Sequence, residues 1–186
     1  MMHTRKLAYI YYFIDNFNTN ILKNLDKKIN LVYRNYKTEI DKEELSKFWY
    51  QCKKKGISLY LANNINLAFN LKLNGAYIPA FNRKMIVKNY ENYKNFEIIG
   101  SAHSIDEINI KKKQKVKKFF ISPLFKNKKT NKYLGVIKFN KLSTFINKDV
   151  IALGGINKSN INLLKLTNSN GIAGISFLKN GAKFKI

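Results

Sequence analysis

Val150-Ile151-Ala152-Leu153-Gly154-Gly155-Ile156 is an apolar run that stops on two glycines. It reads as a β-strand followed at once by a turn. Glycines there let backbone N–H groups approach an anion closely. Ser159 then stands as the cap of a predicted helix over Ser159–Thr167, where Ile161, Leu164 and Lys165 are neighbours on the helix surface.

The same rhythm runs outward in both directions. Apolar runs rich in Ile, Val, Tyr and Phe recur at Leu7–Phe13, Asn30–Arg34, Ile57–Ala62, Gly75–Pro79, Glu97–Ser101 and Lys118–Ser122. The strand above spans Val150–Gly154, and Gly171–Ser176 is the last. Polar segments that suit helices lie between them, which argues for βα units and a parallel sheet. Asp41–Lys55 is the clearest helix. Asp41 caps it, Glu44 sits at the third helical position, Leu45, Phe48, Trp49 and Cys52 form an inward face, and Gly56 stops it. Asn63–Leu73 places Leu67, Ala68 and Leu71 together, and Ser104–Lys115 opens with Ser104 and Glu107 in a capping box. Phe81–Asn95 and Lys126–Tyr133 are polar and irregular and read as loops or short helices.

Eight alternating strands leave a closed barrel or an open doubly wound sheet. The first strand ends in Phe13-Ile14-Asp15-Asn16 and not in Gly-x-Gly-x-x-Gly, which argues against a dinucleotide-binding domain. The count of eight favours one (β/α)₈ TIM barrel over residues 1–186. Such barrels take about 250 residues, so helices and loops here must be compact.

Composition narrows the partners. No stretch approaches the roughly 18–20 apolar residues that span a bilayer, and Leu7–Ile14 reads as a strand and not a leader. The single cysteine, Cys52, excludes an internal disulfide framework and fits a reducing cytoplasm. The net charge of +24 has two open readings. One is attraction of polyanions or phosphorylated small molecules. The other is composition, because only three of the 35 basic residues are arginines and Lys, Asn and Ile are abundant together. Dedicated nucleic-acid surfaces favour the planar arginine fork.

A barrel of this kind works at the C-terminal ends of its strands. Those positions carry Arg34, Asn63-Asn64, Asn82, Ser101 with His103, Ser122-Pro123 and the Lys126–Lys132 loop, Gly154-Gly155, and Gly174–Ser176. His103 lies beside a helix cap and reads as a loop staple rather than an acid–base group. Loops after strands seven and eight form a recurrent phosphate pocket.

Several of these segments, taken in order, resemble one family. They are Val32-Tyr33-Arg34-Asn35-Tyr36, Leu61-Ala62-Asn63-Asn64, Gly75-Ala76-Tyr77-Ile78 and Ile99-Gly100-Ser101-Ala102-His103-Ser104. Ile121-Ser122-Pro123-Leu124-Phe125, Ala152-Leu153-Gly154-Gly155-Ile156 and Gly171-Ile172-Ala173-Gly174-Ile175-Ser176 follow. Their order and spacing look like thiamine phosphate synthase and its relative, the thiazole tautomerase. The resemblance implies a transferase of thiamine biosynthesis that joins a pyrimidine pyrophosphate to a thiazole phosphate. Pyrophosphate loss leaves a pyrimidine methyl cation, which the thiazole nitrogen attacks.

The resemblance also implies roles. Arg34 and Ser101 become the catalytic candidates, Arg34 on the pyrophosphate and Ser101 on the substrate. Asn63 becomes a substrate ligand, and Gly154, Gly155, Ile175 and Ser176 the thiazole phosphate cradle. The Thr/Lys loop of the family falls on Asn127–Thr130, where Lys128 and Lys129 are the substrate-binding candidates. The departures are equally specific. The family's two Mg²⁺ aspartates fall on Asn64 and Asn82, which weakens or abolishes a site for a hard cation. Its Gln and Lys beside the arginine become Val32 and Tyr36, and the tautomerase histidine becomes Pro123. Three functions therefore stand side by side: a synthase-type transferase, a non-catalytic or regulatory barrel that keeps a phosphate-ligand pocket, and a basic nucleic-acid binder. The last lacks a recognition motif. The sequence sets no oligomeric state.

Overall fold

The computed structural model describes residues 7–127 and 131–175. Among them eight parallel strands close into a barrel in sequence order. They are β1 (Tyr9–Ile14), β2 (Ile29–Tyr33), β3 (Leu59–Ala62), β4 (Gly75–Ile78), β5 (Glu97–Ala102), β6 (Lys118–Ile121), β7 (Asp149–Leu153) and β8 (Gly171–Gly174). The sheet closes where Tyr9 registers with Gly171 and Tyr12 with Gly174. All eight sequence-predicted strands are present, most of them shorter by a residue or two. The compact (β/α)₈ barrel follows from that closure.

Side-chain alternation explains why runs without polar gaps became strands. Tyr11, Phe13, Val32, Tyr60, Ala62, Tyr77, Ile99, Phe120, Ile151 and Ala173 fill the barrel interior. Their neighbours, such as Leu31, Leu59, Leu61, Phe119, Ile121, Val150 and Ile172, point outward into a second core. Both faces of each strand are therefore dry, as expected of a parallel sheet under helices. Phe120 is the hub inside, with ring centroids 4.9 Å from Tyr11, 5.5 Å from Tyr77 and 6.1 Å from Phe13. The N-terminal mouth is closed by polar groups: the Glu97 carboxylate accepts hydrogen bonds from Tyr60 Oη and Lys118 Nζ.

The outer ring is lighter than the inner one. Its helices are α1 (Thr19–Lys23), α2 (Lys42–Lys54), α3 (Ile65–Asn70), α4 (Ile105–Lys113) and α5 (Gly135–Ser143). Asp41 caps α2 by accepting from Glu43 N and Glu44 N, and Leu45, Phe48 and Cys52 are buried as the spacing predicts. Ser104 caps α4 through Glu107 N, but the Glu107 carboxylate takes His103 N at 2.6 Å, one residue earlier than in a capping box.

Three expectations are corrected. The helix predicted over Asn63–Leu73 contracts to Ile65–Asn70, because Asn63 and Lys72 adopt left-handed backbone at φ of +62° and +54°. The segment Ser159–Thr167 is a 3₁₀ helix over Ile161–Leu166, and Ser159 does not cap it. The Ser159 hydroxyl donates instead to Asn157 Oδ1 at 2.6 Å. Helices α1 and α5 were not read from the sequence: α1 is barely over a turn, and α5 has no side-chain cap to announce it. Among the described residues no helix is long and apolar enough to cross a membrane.

Candidate functional site

The C-terminal mouth of the barrel collects most of the sequence candidates in two groups. Arg34 leaves β2 with its N–H still bonded to Ile14 O at 2.8 Å, so the ladder fixes its backbone. Its guanidinium lies 4.9 Å from the Phe13 ring centroid, a cation–π contact over the apolar barrel interior. Tyr36 follows on the same loop and meets Phe81 edge to face at 5.6 Å, joining the loops after β2 and β4.

Ser101 is almost fully buried in β5, and its Oγ accepts the Ala80 N–H at 3.0 Å. Burial pushes the Tyr77 phenol well up, an effect the neighbouring Ser101 hydroxyl and then the Arg34 charge offset in part. Ser101 thus ties β5 to the exit of β4 at the mouth. His103 pairs its Nδ1 with Glu107 Oε2 at 3.0 Å, which suits the staple role expected of it.

Beside these, three amides form a chain whose orientation the backbone dictates. Asn64 Oδ1 accepts Leu67 N at 3.1 Å and caps α3. Asn82 Oδ1 accepts Lys84 N at 2.9 Å. Because that oxygen is spent, Asn82 presents its Nδ2, which donates to Asn63 Oδ1 at 2.7 Å. A groove of about 400 Å³ lies against them, lined also by Asn66, Lys84, Met85, Ile86, Val87 and Lys88.

Sequence reasoning missed the group that holds this loop. Lys111 on α4 is wholly buried, and its ammonium donates to Asn82 O at 2.7 Å and Gln114 Oε1 at 2.8 Å. Gln114 Nε2 donates to Asn82 O and to Lys84 O, at 3.1 and 2.7 Å. Burial pushes the Lys111 pKa down to about 8, with Glu107 opposing the shift and Arg83 adding to it. A signal existed: Lys111 falls three residues after the buried Ile108, on the inward face of its helix.

The positions that the resemblance assigns to Mg²⁺ do not fit that ion. Mg²⁺ seeks anionic oxygen in octahedral array. Asn64 and Asn82 are neutral, and each side-chain oxygen already accepts a backbone N–H. Among the described residues no group of three or more His, Cys, Asp or Glu side chains could hold a metal.

The second group surrounds the glycine pair. Gly154 and Gly155 take left-handed φ of +92° and +73°. A Cβ on Gly155 would stand 2.2 Å from Phe125 O, and one on Gly154 would stand 2.9 Å from Pro123 Cβ. The segment after β6 therefore lies directly on this turn, and Phe125 N bonds Gly154 O at 3.1 Å. Asn157 and Asn160 amides both donate to Gly155 O, at 3.2 and 2.8 Å. The glycines are thus required first for the chain's own close packing. Ile175 follows β8 at the same rim and is partly exposed. Lys128, Lys129 and Ser176 lie outside the described residues.

The chain is similar to known proteins in sequence and in fold. The family model described as thiamine monophosphate synthase matches residues 15–178. A curated Aquifex aeolicus protein named "Putative thiamine-phosphate synthase 2" is 29% identical over 167 residues, covering 87% of this chain and 89% of its own. The thiamine phosphate pyrophosphorylase of Pyrococcus furiosus superposes with a TM-score of 0.70 at 18% identity, over 96% of this chain and 90% of that one. That of Bacteroides thetaiotaomicron gives 0.59 at 16%, over 93% and 85%. The two structural likenesses concern the fold, whereas the family match spans strand ends and site together. The chain belongs to the thiamine monophosphate synthase family, as a thiamine phosphate synthase-like barrel with amides at Asn64 and Asn82.

Proposed function

We propose that this barrel is a transferase that joins a pyrimidine methyl pyrophosphate to a thiazole phosphate, giving thiamine phosphate and pyrophosphate. The observation that carries this reading is Arg34 at the barrel mouth. It is held by the β1–β2 ladder over Phe13, within a chain that matches the family over residues 15–178.

The chemistry is economical in protons. The methylene C–O bond breaks, the electron pair leaves with pyrophosphate, and the thiazole nitrogen lone pair forms the new C–N bond. The positive charge ends on the thiazolium ring, and no proton moves. The chain's task is to offset charge on the leaving group and to align the two rings. Arg34 supplies a permanent cation for the first task. Tyr36 and Phe81 offer aromatic surface for the second. Ser101 holds the start of the loop after β4 by accepting the Ala80 N–H. The family's Mg²⁺ finds no carboxylate at Asn64 or Asn82, and no step here relies on it.

Gly154, Gly155 and Ile175 would take the thiazole phosphate at the ends of strands seven and eight; Ser176, Lys128 and Lys129, which the resemblance adds, lie outside the described residues. Cys52 is buried, and burial pushes its thiol up to about 12, so it is no nucleophile for this reaction.

A turnover assay tests the reading. Purified protein receives both substrates, and thiamine phosphate is detected. The expected result is product above the protein-free control, falling at least about a hundredfold in Arg34→Ala, as for loss of a charge-stabilising donor. No product from protein with an intact circular dichroism spectrum would favour the non-catalytic phosphate-binding barrel.

A further inference from the structure

The amide chain at the end of β3 and β4 has spent its acceptors and kept its donors. Asn64 and Asn82 give their oxygens to backbone N–H groups, and Asn63 gives its oxygen to Asn82 Nδ2. Each orientation follows from a donor that cannot flip, so the assignment of O and N is fixed by the network. Among the described residues, Asn63 Nδ2, Asn64 Nδ2 and Lys84 Nζ have no protein acceptor. All three residues line the 400 Å³ groove.

A metal site needs the opposite polarity, with oxygens converging on a cation. Here three exposed residues with uncommitted N–H or ammonium donors line one groove, a lining that suits an anion. Below it the buried Lys111 ammonium and Gln114 pin the Asn82 and Lys84 carbonyls, which adds positive charge and fixes the rim. The other rim is apolar, with Met85 and Val87 exposed. An anionic group carried on a weakly polar ring matches both rims.

We infer that this groove binds a diphosphate group directly, by amide N–H and lysine donors, without a divalent cation. The inference rests on the synthase reading only for the identity of the diphosphate as a leaving group. Lys84 takes over charge that a metal would otherwise offset. It is a ligand to the anion, and Lys111 is a positioning residue that acts through Asn82.

Isothermal titration of the full chain with inorganic pyrophosphate tests this, once in EDTA and once in excess Mg²⁺. One site is expected in EDTA, and no tighter in Mg²⁺, because the metal sequesters the free anion. Lys84→Ala should weaken binding in EDTA about tenfold, the scale of one charge-assisted contact. Lys53→Ala, on the remote end of α2, should not, which separates the groove from the general field of the +24 chain. Asn64→Asp with Asn82→Asp should abolish metal-free binding and create a Mg²⁺ requirement. Binding only with Mg²⁺, no binding at all, or equal losses in Lys84→Ala and Lys53→Ala would each overturn the inference. The two readings fail separately. Metal-dependent turnover with no metal-free pyrophosphate site would keep the synthase and remove the groove. Metal-free binding without product would do the reverse.

Discussion

Lys111 is wholly buried, and its ammonium bonds run to Asn82 O and Gln114 Oε1. Its pKa of about 8 lies below the ordinary 10.5, so the unfolded chain binds more protons between those values. Stability must therefore rise with pH through that window. The gain from this group is about 2 kcal/mol between pH 8 and pH 10. Lys111→Met should lack that gain, as urea unfolding of both proteins at the two pH values would reveal. Parallel pH dependence in the two would contradict the assignment. Gly155 offers a second test. Its φ is positive, and a Cβ would meet Phe125 O at 2.2 Å. Gly56 has a similar φ of +67° with nothing within 4 Å. Gly56→Ala should cost roughly 1 kcal/mol and Gly155→Ala roughly 3 kcal/mol or more, since only the second adds overlap to backbone strain. Equal costs by urea unfolding would show that the segment after β6 yields freely. At this scale the sequence was legible in part. The motif order placed Arg34, Asn63, Ser101 and Gly155 at strand ends. Nothing local in the sequence showed that Ser101 would spend its hydroxyl on Ala80 N–H, or that Asn64 would cap a helix, because those partners come from packing.

The strands were the most readable elements, and the reason is physical. Each is buried on both faces, so each appears as an uninterrupted apolar run between polar segments. Phe120 shows what one such position contributes. It touches Tyr11, Phe13 and Tyr77 inside the barrel and is wholly buried. Phe120→Ala should destabilise the fold by about 3–5 kcal/mol, the range for opening a large aromatic cavity. A midpoint shift of less than 1 kcal/mol in urea unfolding would mean that the interior collapses to fill the space. Helices were readable only where a cap and an apolar stripe coincide, as at Asp41 with Leu45, Phe48 and Cys52. In α5 the segment before the helix supplies no capping side chain, and Ile137 points to solvent. Its place is fixed by tertiary contact, so no local signal marked its start. The 3₁₀ geometry after β7 has the same origin. The Asn157 and Asn160 amides turn back to Gly155 O, and the chain leaves that turn as the tighter 3₁₀ helix Ile161–Leu166.

For the molecule as a whole, barrel closure brings seven loops of separate sequence origin to one mouth, so site and fold are a single consequence of the βα rhythm. The net charge of +24 favours long-range attraction of phosphorylated molecules. On the proposed function, this mouth joins two phosphorylated substrates with the protein's own cations at the leaving group. The most direct measurement is a single-turnover reaction in EDTA, with thiamine phosphate and pyrophosphate quantified together for wild type and Arg34→Ala. Wild type is expected to give equal amounts of the two products without added metal, and Arg34→Ala none above background. Product that forms only when Mg²⁺ is restored, or that persists in folded Arg34→Ala, would contradict it.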